Sequence, residues 1–150
     1  MRNRDLLWLG CGILLMLCSA CSTPNFHPVA QIPPGRGLIY IYTVSPAGNR
    51  GYIIHNSKKL GALGPYCYLI DFPQEGPNSY GVPSNFFTRG GLLGLMVKDQ
   101  AAEPTIVNVV AGNTYYVKQY GSNPDAELWR VDESDALPEL ARCHQVKVTP

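Results

Sequence analysis

The chain has 150 residues, 45% of them apolar, and 12 basic side chains against 11 acidic ones give it a net charge of +1. That balance excludes the basic surface that nucleic acid binding requires. Only 15% of residues are charged while 15 Gly and 13 Pro punctuate the chain, a composition suited to short strands and turns in one domain with its own core.

Arg2 and Arg4 open the chain, residues 6–17 are almost wholly apolar, and Cys18, Ser19 and Ala20 are small. Basic, apolar and small in that order is the pattern of a secretory signal. The apolar run is shorter than the ~20 residues a membrane-spanning helix needs, although an uncleaved anchor helix is the alternative reading. Cys18-Ser19-Ala20-Cys21 resembles the lipobox of bacterial lipoproteins, with Cys18 in the place usually held by Leu. The resemblance implies that residues 1–20 are removed and that Cys21 is lipidated. A cysteine is required there because its thiolate is the nucleophile that accepts the lipid. Several acyl chains, at ~0.8 kcal/mol per buried CH₂, hold a protein stably on a membrane where one does not. Ser22 follows the lipid site in place of the Asp that resembles an inner-membrane retention signal, which implies the outer membrane, facing the periplasm.

Without residues 1–20 the chain loses Arg2, Arg4 and Asp5, leaving 130 residues with ten charges of each sign. Cys11 and Cys18 leave with the leader and Cys21 is used by the lipid, so Cys67 and Cys143 remain. An even pair in an oxidising compartment points to a disulfide, worth ~4 kcal/mol by the chain-entropy model for so long a loop. Two buried free thiols are the alternative.

Residues 21–36 hold prolines at 24, 28, 33 and 34 and no hydrophobic periodicity, and are expected to form an extended tether. The domain proper is expected over 37–150. Residues 38–44 (Leu-Ile-Tyr-Ile-Tyr-Thr-Val) are apolar on both faces, which predicts a central strand. Strands are predicted at 52–56 and 66–72, with an exposed turn or edge at Lys58-Lys59. Residues 73–85 are rich in Pro and Gly and are expected to form a long loop. Phe86-Phe87 and 92–99 suggest a strand broken by Gly90 and Gly91. Residues 105–110 and 114–120 flank Ala111-Gly112-Asn113 and predict a β-hairpin. Tyr115, Val117 and Gln119 then face one way, and Tyr116, Lys118 and Tyr120 the other. A strand at 127–131 carries Trp129; 134–142 is a short helix that Ser134 can cap and Pro138 limits, and 144–148 is a last strand. The expected fold is all-β, an antiparallel sandwich of about seven strands with one short C-terminal helix.

No metal or nucleophile signature is present: His27, His55 and His144 are dispersed, and there is no HExxH, CxxC or G-x-S-x-G. No cofactor is therefore expected. Cys143 and His144 point to opposite faces of an extended chain and cannot pair with each other, whereas Cys67 with a distant His stays open. Asp132, Glu133 and Asp135 sit where acidic side chains complement a helix dipole. Tyrosines at 40, 42, 52, 66, 68, 115, 116 and 120 all fall on predicted strands. They either pack as ordinary strand residues or stack on a partner; Tyr116, Tyr120 and Trp129 are the candidate binding aromatics.

Four stretches carry a resemblance: Gly37-Leu38-Ile39-Tyr40-Ile41-Tyr42, Lys58-Lys59-Leu60-Gly61, Ala111-Gly112-Asn113-Thr114-Tyr115-Tyr116-Val117 and Leu137-Pro138-Glu139-Leu140-Ala141-Arg142-Cys143. From about Gly35 to the C-terminus the chain resembles the DUF2846 family of uncharacterised bacterial lipoproteins, and departs from its pattern between Pro73 and Gly91. The resemblance implies a small β-sandwich on a membrane and brings no catalytic residues. The expected function is a non-enzymatic binding or scaffolding module, lipid-anchored in the outer membrane, for an envelope protein or glycan. The alternative is an envelope enzyme acting on peptidoglycan or lipid.

Overall fold

The computed structural model describes residues 26–47, 52–83, 103–121 and 126–146. Its elements in order are β1 (Leu38–Thr43), β2 (Tyr52–His55), β3 (Lys58–Ala62), β4 (Cys67–Asp71), β5 (Gly76–Gly81), β6 (Thr105–Val109), β7 (Thr114–Tyr120), β8 (Glu127–Val131), α1 (Glu133–Leu140) and β9 (His144–Gln145). They form a five-stranded sheet, β8-β7-β1-β4-β9, facing a four-stranded sheet, β3-β2-β5-β6. The expected all-β sandwich with one short C-terminal helix is what the chain forms.

Strand β1 is central, as its sequence predicts, and every one of its residues is buried. A strand alternates its side chains, so β1 feeds two cores. Ile39 and Ile41 join Ile53, Leu69, Val107, Val109, Tyr115 and Val117 between the sheets. Leu38, Tyr40 and Tyr42 join Tyr68, Tyr116, Ala136, Leu140 and Cys143 on the outer face, beneath α1. Burying each such large side chain contributes ~1.5–3 kcal/mol.

The sheets are not antiparallel throughout. β1 runs parallel to β7, and β4 parallel to β9, while the remaining ladders are antiparallel. The parallel β1–β7 ladder displaces the expected hairpin: β6 pairs with β5 in one sheet, and β7 pairs with β1 and β8 in the other. Both strands bury a face in the same core, Val107 and Val109 from one side and Tyr115 and Val117 from the other. The chain therefore crosses the sandwich at 110–113 instead of folding back beside itself. Gly112 takes φ +81° at this corner, and its N–H donates to Arg36 O (2.8 Å) while Leu38 N–H donates to Asn113 O (2.9 Å). Gly37 lies so close that an added Cβ would meet Val109 Cγ1 at 2.5 Å.

A tight hairpin exists elsewhere, between β2 and β3, where Asn56 and Ser57 both adopt positive φ (46° and 67°), as a two-residue primed turn demands. β3 is a sheet edge with Lys58 and Lys59 exposed, in line with expectation. The expected loop at 73–85 contains β5, held between β2 and β6. Tyr80, fully buried, is the anchor that its Gly, Pro, Asn and Ser neighbours conceal.

The tether is also shorter than expected. From Phe26 the chain lies on the outer core: Phe26 meets Tyr40 and Tyr68 edge-on at 5.1 and 5.5 Å, and Val29 and Ile32 pack beside it. Val29 N–H donates to Tyr40 Oη at 2.8 Å. α1 begins one residue earlier than expected, with Asp132 at the N-cap position and no side-chain cap, so Ser134 is inside the helix. Cys21, the suggested strand around 92–99 and the Phe86-Phe87 pair lie outside the described residues.

Candidate functional site

The tyrosines sort by face. Tyr40, Tyr42, Tyr68 and Tyr116 are buried in the outer core and Tyr80 and Tyr115 between the sheets, so most serve ordinary packing. Tyr116 is one of these: it stacks on Tyr40 (5.7 Å, 13°) and donates from its hydroxyl to Glu133 Oε1 at 3.1 Å. Burial, then the hydrogen bond to Glu133, push its phenol up to about 12. It offers no surface to a partner, contrary to expectation.

Tyr120 and Trp129 are different. Tyr120 ends β7 and Trp129 stands on β8, an edge strand, at 44% and 58% exposure. The ladder pairs Tyr120 with Glu127 and Lys118 with Trp129, which brings the three side chains of 120, 127 and 129 together at one corner of the sheet. The two rings meet edge to face, centroids 6.1 Å apart and planes 69° apart. Trp129 Nε1–H donates to Glu127 Oε2 at 2.9 Å. Among the described residues, a recess of about 370 Å³ is lined by these three. Sequence pattern named both aromatics; Glu127 was missed, and its i, i+2 spacing from Trp129 on one strand was the available signal.

Cys67 and Cys143 are both free and buried, in place of the expected disulfide. They face opposite sides of the five-stranded sheet, Cys67 toward the inter-sheet core and Cys143 toward the outer one. Burial pushes the Cys143 thiol up to about 11, with the neighbouring Cys67 adding to the effect. The parallel β4–β9 pairing sets Cys67 opposite His144, and Cys67 Sγ lies 3.1 Å from His144 Nε2. The same sulfur donates to Pro65 O at 3.2 Å. Burial raises the Cys67 thiol, so this is a protonated thiol beside an imidazole, and an active nucleophile needs the thiolate. Gln119 faces the same inter-sheet side; it is buried, and its amide has no partner among the described residues.

A second polar cluster ties the sheets together. His55 Nδ1 lies 2.9 Å from Asp71 Oδ2, and Tyr80 donates its hydroxyl to the same oxygen at 2.7 Å. The His55 and Tyr80 rings stack at 4.6 Å. His55 Nε2 meets Asn78 Oδ1 at 2.9 Å, and Asn78 Nδ2–H donates to the carbonyls of Gln74 and Gly76. Burial, then the Asp71 carboxylate, raise the Tyr80 phenol. Both His55 ring nitrogens, the Tyr80 hydroxyl and both ends of the Asn78 amide have partners within the fold, which is the signature of a structural network. Among the described residues no group of three His, Cys, Asp or Glu side chains is placed to hold a metal, and no helix is long and apolar enough to cross a membrane.

No family model, curated protein or solved structure matches the chain.

Proposed function

We propose that this chain is a lipoprotein of the outer membrane, anchored through Cys21 and facing the periplasm, that acts as a non-enzymatic binding module. The observation that carries the binding reading is the Tyr120–Trp129 corner on an edge strand: large aromatics left exposed together, away from either core, mark interaction sites. The leader and the Cys18-Ser19-Ala20-Cys21 lipobox resemblance support the anchor. The DUF2846 resemblance is in keeping with it. Two experiments test the reading. Cys21→Ser should block lipid attachment and leave the protein in its precursor form; unchanged processing together with unchanged membrane fractionation rules out the anchor. A photocrosslinking residue at 120 should capture an envelope component that the same residue at 106, on β6, does not. Equal capture at both positions removes the corner as the binding surface.

A reading as an envelope enzyme is favoured by one contact, Cys67 beside His144. It requires a thiolate, and burial together with donation to Pro65 O works against one. Non-enzymatic binding is therefore the better supported of the two.

A further inference from the structure

The Tyr120–Trp129 corner is selective in what it can satisfy. Among the described residues its recess is lined by two aromatic side chains, Tyr120 and Trp129, and the carboxylate of Glu127. One oxygen of Glu127 already accepts from Trp129 Nε1–H. Among the described residues the ion pairs are His55–Asp71 and Lys118–Glu139, and neither involves Glu127, whose carboxylate is held in place by the indole. Resting on the binding-module reading above, we infer that this recess takes a quaternary ammonium group.

Three observations converge. Two rings at 69° make a corner; a compact, rounded cation meets both π walls of a corner, whereas a flat sugar ring stacks on one face only. Cations are attracted to the negative faces of Trp and Tyr, and the ring quadrupole acts within ~6 Å of the centroid. Tyr120 already shows that preference on one side, where Lys118 Nζ lies 4.7 Å from its ring centroid. The third observation concerns hydrogen bonds. A primary ammonium brings three N–H donors and a pyranose several hydroxyls, whereas among the described residues the recess offers them one free carboxylate oxygen and one phenol hydroxyl. A quaternary ammonium has no N–H to satisfy and sheds its water most easily. Glu127 then supplies the counter-charge, and Trp129 Nε1–H keeps that carboxylate aimed across the indole.

The sequence contains two tryptophans, Trp8 and Trp129, so Trp8→Phe leaves Trp129 as the only indole whether or not residues 1–20 are present. In that background, choline chloride is titrated against sodium chloride at matched ionic strength, following Trp129 emission. Saturable quenching by choline is expected. Tyr120→Ala should abolish it, and Glu127→Gln should weaken it about five- to thirty-fold, with far-UV circular dichroism and melting temperature unchanged. Vesicles of phosphatidylcholine in phosphatidylglycerol, against phosphatidylglycerol alone, separate a lipid headgroup from a free ligand; saturable choline quenching, or vesicle binding that phosphatidylcholine increases over the control, supports the inference. Choline that behaves as sodium chloride, together with vesicle binding that phosphatidylcholine does not increase, overturns it. Chitotetraose is the third arm. Saturable binding of this glycan without choline binding overturns the cation and leaves the binding-module reading standing, while silence in all arms overturns the corner as a ligand site as well.

Discussion

The sharpest test of the fold concerns Glu139, through which α1 is fastened to the five-stranded sheet. Its Oε2 accepts from the Tyr42 hydroxyl at 2.7 Å and its Oε1 from Lys118 Nζ at 2.5 Å. Tyr42 is wholly buried, and the Lys118 and Glu139 side chains are only 14% and 25% exposed. These are charge-assisted bonds in a partly dry setting. Removing the carboxylate strands a buried phenol hydroxyl and leaves a nearly buried ammonium without its partner. An unsatisfied buried group costs ~1–3 kcal/mol, while an exposed ion pair is worth at most ~1 kcal/mol. Glu139→Ala should therefore destabilise by ~2–3 kcal/mol in urea denaturation, or roughly 8–12 °C in melting temperature for a domain of this size.

The pH dependence gives the same reasoning a sign. Burial alone would raise the Glu139 carboxyl, but hydrogen bonds from Lys118 and Tyr42 outweigh it and hold the group below the usual glutamate range. A folded-state value below the unfolded ~4.3 means the carboxylate contributes stability in full above that pH. The contribution is lost as pH falls through the folded value. Stability of the parent chain should thus drop on acidification below ~4.3 more steeply than that of Glu139→Gln, and the difference between the two curves isolates this group from other carboxylates. A Glu139→Gln chain with parental stability at pH 7 and a parallel acid limb would refute the account.

Two further outcomes are expected. Gly37→Ala should destabilise by ~1–3 kcal/mol, as overpacking does, because the new Cβ would lie 2.5 Å from Val109 Cγ1 and within 3.4 Å of the Asn113 and Val110 carbonyls; equilibrium denaturation checks it, and a neutral result would mean the corner is looser than described. Cys67 and Cys143 should resist a thiol reagent until the chain is denatured, the melting temperature should not change with reductant, and, because the Cys143 thiol is raised to about 11, its contribution to stability should be complete below the unfolded thiol's ~8.5 and fade as pH climbs toward 11. Prompt labelling of either thiol at pH 7.5 would count against their burial, and a crosslinked non-reduced digest would restore the bridge.

Strand existence was legible where local pattern and tertiary role agree. β1 is apolar on both faces because it lies between two cores, and β7 alternates because each of its faces meets a different one. Legibility failed where the deciding partner is remote. β5 has two glycines, a proline and one large apolar residue in six positions, and only pairing with β2 and β6 makes it a strand. The 111–113 turn has hairpin chemistry, with Gly112 in the positive-φ conformation a tight turn wants; yet the same glycine serves a corner between sheets, because its N–H donates to Arg36 O, Leu38 N–H donates to Asn113 O, and β1 then takes β7 as its parallel neighbour. Turn residues state that the chain reverses, and they do not state whether it reverses within a sheet or across a core.

The same distinction governs the aromatics. Strand propensity places Tyr116 and Tyr120 alike on the outer face of β7, and nothing local separates them. What separates them is the reach of α1: eight residues long, it covers Tyr116 through Glu133 and Tyr42 through Glu139, and Lys118 is the last β7 side chain it engages. Tyr120, one strand repeat further on, is left uncovered and finds Trp129 on the edge strand instead. The exposure of the Tyr120–Trp129 corner is thus set by where the helix stops, and extending α1 over the end of β7 would bury the corner without altering any of its residues.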